Sequence, residues 1–435
     1  MKIRLTAKSA ILTIFFIGFI YSTQAQFLVD LIDTNSTEEK GLWAIYRKTD
    51  HLQISGYFQP QFLIAQSKGT KTYAAGDFAD NSNSRFMMRR ARIRFDYAHF
   101  SQDGLPQAQV VFQFDGTERG VVIRDFWGRV YENRWQLFSF TTGMFARPFG
   151  YEVNMSSGDR EAPERGRMSP VLMRTERDLG AMVTFEPRRS SKLKLLKFDI
   201  GVFNGQGLTA TEEFDSYKDI IARLSLKRYQ LLPNLSLTGG ASILEGGLVQ
   251  VTPQRYTLSD NGVTKNFVLD SSTSNIGAKA PRKYRGVDAQ LRLKHGWGKS
   301  ELRAEYWWGT QTGYAEESNT PSTPLDKPFF IRKFDGLFLY FLQDIVNEHN
   351  QLLFRYDFYD PNRKIGGETI GNPDLRFAAG DIRYHQFGLG YIHYFNDHLK
   401  FLAWYDFVRN EKTSLEGFEE DLKDNILTLR VQYEF

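Results

Sequence analysis

The chain has 435 residues, with 55 Lys and Arg against 51 Asp and Glu, 41% hydrophobic and 24% charged residues, an aromatic share of 15% and no Cys. A bundle of membrane-spanning helices would be far more apolar, and without Cys there is no disulfide framework, thiolate zinc site or Cys nucleophile. Three of the cations, Lys2, Arg4 and Lys8, lie in the first 25 residues, which hold no acid, so the remainder is close to neutral.

Those first 25 residues read as an export signal. A positive start is followed by an apolar stretch at 9–20, too short to anchor, and Thr23-Gln24-Ala25 places small residues before a cut after Ala25. Residues 26–50 read as a periplasmic N-terminal tail, too short for a plug domain, and 51–435 as the folded domain. No later window reaches the ~18 apolar residues of a helical span.

From residue 51 onward the pattern has period two. Strands are expected near 51–65, 84–98, 107–115, 121–131, 135–146, 178–186, 193–203, 219–228, 235–244, 285–295, 300–309, 331–342, 348–358, 384–395, 399–408 and 424–435. Typical is the second, where Arg90, Arg92, Arg94 and Asp96 interleave with Ala91, Ile93, Phe95 and Tyr97. Successive side chains on a strand point to opposite faces, so each strand has one apolar and one charged face.

A soluble sandwich would show the same alternation with the apolar face inward. Two features favour the inverse, apolar out to lipid and polar in to water. The apolar faces are rich in Phe, Tyr and Trp, and the polar faces carry full charges rather than Ser and Thr. Loop lengths point the same way. Connections after odd strands are long (66–83, 147–177, 204–218, 245–284, 310–330, 359–383, 409–423), apart from 116–120, and those after even strands are short. Long extracellular loops alternating with short periplasmic turns mark an outer-membrane barrel. The expected fold is all-β, a transmembrane antiparallel barrel of about 16 strands. The last strand, with Leu427, Leu429, Val431 and Tyr433 on one face, ends in Phe435, which resembles the assembly signal of such barrels.

Several stretches resemble the phosphate-selective porin O/P family. They are Ser55-Gly56-Tyr57-Phe58-Gln59-Pro60-Gln61-Phe62, then Arg89-Arg90-Ala91-Arg92-Ile93-Arg94-Phe95, and Val122-Ile123-Arg124-Asp125-Phe126-Trp127. The fourth, Gly143-Met144-Phe145-Ala146-Arg147-Pro148-Phe149-Gly150-Tyr151-Glu152, is similar to the family's strand that enters its third loop. The likeness spans about residues 51–210. It implies a homotrimeric porin of the bacterial outer membrane, with a third loop folded into the pore and phosphate or polyphosphate among the solutes. It also implies contact with membrane lipid and lipopolysaccharide.

Arg90, Arg92 and Arg94 share one strand face and are expected to form a ladder of positive charge for anions, with Arg223, Lys227, Arg292, Lys294 and Arg303 as further pore-lining candidates. The bland alternative is that these cations hydrate the wall, paired with acids such as Asp96, Asp115, Asp288 and Glu305. The third loop, 147–177, holds Arg147, Glu152, Arg160, Arg165 and Arg167 among six cations and five acids. Such a balance suits a transverse field more than strong anion selectivity, and the lumen has few lysines for a phosphate channel. None of the seven His is paired at helical metal-binding spacing, and no nucleophile motif is present. No enzyme, metal, cofactor or nucleic-acid partner is therefore expected. The expected function is passive diffusion of small anions. The alternatives are a general non-selective porin, or a non-conducting barrel serving as scaffold or adhesin.

Overall fold

The computed structural model describes residues 51–435 apart from 74–75, 190, 209–211 and 263. The signal peptide and tail expected at 1–25 and 26–50 lie outside the described residues. The strands are β1 (Leu52–Ala65), β2 (Ser84–Phe100), β3 (Pro106–Thr117), β4 (Gly120–Tyr131), β5 (Phe138–Ala146), β6 (Arg177–Phe185), β7 (Leu196–Phe203), β8 (Asp219–Leu232) and β9 (Leu235–Val249). They continue with β10 (Arg255–Asp260), β11 (Lys265–Asp270), β12 (Lys279–His295), β13 (Gly298–Gly313), β14 (Phe329–Ile345), β15 (Asn347–Asp360), β16 (Tyr384–Asn396), β17 (Leu399–Asn410) and β18 (Ile426–Glu434).

Sixteen of these close into one antiparallel barrel. Neighbours in sequence pair throughout, β9 passes to β12, and β18 returns to β1 with Phe62 opposite Leu429. The seam runs to the last residue, where Gly56 and Phe435 exchange both backbone hydrogen bonds at 2.9 Å. Among the described residues, closure leaves the sixteen wall strands no unpaired edge, which a hydrocarbon environment requires.

The alternation resolves as apolar outward. On β2, Ile93, Phe95 and Tyr97 are exposed on the outer surface while Arg90, Arg92 and Asp96 are buried inside. Similar outward rows recur, such as Ile220 and Leu224 on β8 and Phe387 and Leu389 on β16. An exposed apolar belt of this extent is matched to lipid, not water.

The interior is less uniform than the alternation predicts. On β14 the inward positions include Phe334, Phe338, Tyr340 and Leu342, and Leu353, Ile392, Leu402 and Trp404 join them from β15, β16 and β17. These apolar groups do not face water, because the third loop lies on them. Ala162 completes one cluster, and Phe149, Val153, Met168, Val171 and Leu172 build the other. One side of the lumen is therefore a dry core that seats the loop.

The stretch expected as a plain loop, 245–284, is shorter and better ordered. β9 and β12 reach into it, and β10 and β11 form a hairpin around Asn261 and Gly262. β10 then adds in parallel to the free upper end of β14, Tyr256 beside Phe330. Phe267, Phe330, Ile370, Phe377 and Ile382 form an apolar cluster that ties this hairpin to the other long loops, and the wholly buried pair Arg332–Asp381 (2.8 Å) stands beside it.

Candidate functional site: the third loop and the lumen wall

The third loop leaves β5 at Ala146 and turns into the barrel at once. Phe149 is fully buried edge-on against Trp307, with ring centroids 4.7 Å apart. Gly150 has φ +70°, and a Cβ there would stand 2.5 Å from the Trp307 ring, so only glycine fits the turn. The amides of Tyr151 and Glu152 then donate to the Glu305 carboxylate at 2.6 and 2.8 Å, pinning the loop to β13.

Beyond that pin the loop crosses one half of the wall. Tyr57 and Ser157 share a hydroxyl contact of 2.6 Å, and Lys400 and Gln432 both donate to the Gly158 carbonyl at 2.8 Å. Glu161 takes both ends of the Arg303 guanidinium at 2.8 Å. Glu164 is held by Arg89 (2.7 Å), Arg90 (2.8 Å) and Arg430 (3.1 Å). The amide of Arg167 donates to Asp357 at 3.1 Å, and its guanidinium lies 3.6 Å over Tyr384. Within the loop, Glu152 accepts from Gly166 N (2.8 Å) and the Ser169 hydroxyl (2.5 Å), bracing a short helix, α1 (Met168–Leu172).

Burial alone would raise the Glu164 pKa, but the joint attraction of Arg89, Arg90, Arg430 and Arg160 holds it well below the usual carboxylate range. Glu176, at the far end of the loop, is held low in the same way by Arg165, Arg124 and Arg177. Asp159 goes the other way, to about 6, pushed first by burial and then by the nearby Glu434.

The opposite half of the wall is not covered. Arg94 pairs with Asp96 (2.7 Å), Arg177 with Asp125 (2.9 Å), Lys197 with Asp199 (3.2 Å), Arg223 with Asp288 (2.7 Å) and Arg292 with Glu301 (3.1 Å). Arg124 meets Glu176, and Trp127 stands between Arg94 and Arg129, at 5.9 and 5.1 Å from its ring. In each of these ion pairs the cation is the more accessible partner. Arg94 is 33% exposed against 8% for Asp96, and Lys197 29% against 5% for Asp199. The pair Lys227–Glu186 (2.7 Å) reverses that order.

The residues singled out from sequence separate accordingly. Arg90, Arg92 and Arg94 do share the inner face, but each carries its own acid: Glu164, Asp115 (3.0 Å) and Asp96. Arg90 and Arg92 are buried, and only Arg94 reaches the uncovered lumen. Arg223, Lys227 and Arg292 lie on the uncovered side. Arg303 is sealed beneath the loop between Glu161 and Glu301, and Lys294 sits exposed at the short-turn end of β12, away from the others. Arg147 is buried in the wall at the loop's root, 3.9 Å from both Asp178 and Asp219. Arg160 and Arg165 spend most of their donors on loop carbonyls, of Ala162 and Pro163 and of Glu152 and Val153.

Sequence reasoning missed Arg89, Arg124, Arg129, Lys197 and Arg430 as lumen groups. Two β-bulges account for two of them. Gln59 stands opposite both Arg89 and Arg90, and the register slips again at Arg124 and Asp125, so strict alternation misassigns a residue at each point.

No protein-family model matches the chain, and no curated protein does. Solved structures do match. The outer membrane channel DcaP of Acinetobacter baumannii aligns over 88% of this chain and 97% of its own, with TM-score 0.52 and 13% identity. An anion-selective porin from Comamonas acidovorans aligns over 88% and 99%, with TM-score 0.53 and 11% identity. The outer-membrane expressed OmpT of Vibrio cholerae aligns over 88% and 97%, with TM-score 0.50 and 11% identity. The fold is that of an outer-membrane porin. At these identities the likeness is one of architecture alone, and the chemistry of the lumen rests on this chain's own residues.

Proposed function

We propose that the chain is a porin of the bacterial outer membrane through which small anionic solutes diffuse passively, along the half of the lumen that the third loop leaves uncovered. The observation that carries this reading is the order within the ion pairs of the open wall. The pairs are neutral overall, yet a solute passing Arg94, Arg124, Arg177, Lys197, Arg223 and Arg292 meets the cation first, with the acid set behind it. In a confined passage the nearer charge dominates the local potential, so anions are favoured over cations. Guanidinium forks suit planar and tetrahedral oxyanions in particular.

The resemblance to phosphate-selective porins implies phosphate or polyphosphate as solutes. The accessible wall is arginine-rich and lysine-poor and most of its cations are paired with acids, which supports small anions as a class rather than one tightly held solute. Arg147, Glu152, Arg160 and Arg165 act by shaping the loop that narrows the lumen. The outward belt would contact lipid and lipopolysaccharide, and three copies would assemble as the resemblance implies. Single-channel recording of the purified protein in chloride and in phosphate tests the reading. Stepwise conductance in both salts is expected. A barrel acting as scaffold or adhesin would give no steps.

A further inference from the structure

Behind the third loop, where it rests on β17 and β18, lies a cavity of about 10 Å³ lined by Arg160, Glu161, Lys400, Leu402, Arg430 and Gln432. That is room for one particle about the size of a water molecule and for no polyatomic ion. The charge around it does not balance. Arg89, Arg90, Arg160 and Arg430 all converge on the single carboxylate of Glu164, with Arg160 at 3.8 Å. Two of the neighbouring acids are committed elsewhere, Glu161 at both oxygens by Arg303 and Asp115 by Arg92. Glu152, held only by the neutral donors Gly166 N and Ser169, gives Arg160 part of its counter-charge from within the loop. Lys400 donates to a neutral carbonyl and faces Glu161, Glu434 and Asp159.

Donors are also left over. Arg160 Nη1 and Gln61 Nε2 are buried, and among the described residues neither has a hydrogen-bond partner. Gln61 is bound to this cluster through its carbonyl, which accepts from Arg430 Nε at 2.9 Å. Burial drives the Arg160 pKa down to about 9, with Arg165 and Arg90 adding repulsion. A guanidinium does not give up its proton in a protein, so the excess charge needs a counter-ion instead.

We infer that this cavity is a structural halide site: a single chloride-sized anion sits between Arg160 and Arg430, locks the third loop to β17 and β18, and stays in place while solutes pass on the loop's other side. The site does not depend on whether the barrel conducts.

Crystals of the whole protein grown with bromide in place of chloride test it by anomalous scattering. A bromide peak between the Arg160 and Arg430 guanidiniums is expected. Peaks confined to the open lumen or outer surface overturn the inference. In detergent solution the barrel should unfold about 2 °C or more higher in sodium chloride than in sodium gluconate of equal ionic strength, since gluconate is too large to enter. Arg160→Met should abolish that difference. Equal unfolding temperatures of the unaltered protein in the two salts would count against the site even if the variant failed to fold.

Discussion

The carboxylate of Glu164, on the third loop, meets the guanidinium of Arg90, on β2, at 2.8 Å, and the same carboxylate holds Arg89 and Arg430. One acid thus gathers cations from both sides of the barrel seam and fixes where the loop lies. Replacing it by glutamine leaves buried guanidiniums without their counter-charge, a change that costs about 3–5 kcal/mol when one partner of a buried pair is lost. Glu164→Gln should lower the temperature at which the barrel loses its compact gel migration, and should make single-channel current noisier as the loop comes loose. Unchanged stability and quiet channels would contradict this role.

The same pairing sets an acid limit. Glu164 is held well below its ordinary value of 4.5, so its contribution is fully present above that pH and is lost only as pH falls through the lower, folded-state value. The loop's anchorage at β2 should therefore survive acidification to pH 4.5 unchanged. Unfolding midpoints measured from pH 7 downward check this, with early loss of stability above pH 4.5 in a Glu164-dependent manner as the opposing result.

Asp159 has the opposite sign. Burial and Glu434 raise its pKa to about 6, above the ordinary 3.8. Between those two values the folded protein holds a proton that the unfolded chain lacks, so stability should rise as pH is lowered from above 6 toward 4. Asp159→Asn should flatten that part of the profile and leave the acid limb set by Glu164 intact.

On the wall that seats the loop, Trp404 of β17 lies across two glycines of β16. A Cβ at Gly388 would stand 2.0 Å from the indole and one at Gly390 2.4 Å from it. Alanine at either position must displace a ring that packs against Tyr340 and the seat of Ala162. Overpacking of this kind costs roughly 1–3 kcal/mol. Gly388→Ala should reduce the yield of folded barrel more than alanine at Gly296, where a Cβ meets nothing within 4 Å. Equal yields would contradict the packing argument.

Most of the barrel was legible because its physics is local. A lipid-facing strand needs an apolar row with period two, and sixteen such rows, with their alternating loop lengths, can be counted without knowing any partner. The β10–β11 hairpin also left a signal that went unread: Asn261-Gly262 between alternating runs is a strong tight-turn pattern. The lumen was less legible because its chemistry is non-local. Nothing in the run Arg90, Arg92, Arg94 shows that Glu164, seventy-odd residues on, will cancel the first rung, or that Phe338 and Trp404 point inward to receive a loop. Those facts arise only when the third loop is laid against the wall.

Charge reversal on the uncovered wall separates the accessible cations from the sealed ones. Arg94→Glu with Lys197→Glu should cut the anion-to-cation permeability ratio several-fold, roughly, because both sit at the water-facing edge of their pairs. An unchanged ratio would mean that solutes take another path.

The most direct measurement is the zero-current potential of the purified, unaltered protein in a planar bilayer under a potassium chloride gradient. The reading predicts stepwise channels and a reversal potential whose sign shows chloride crossing more readily than potassium. A cation-favouring potential, or a bilayer that stays silent with folded barrel present, would contradict it.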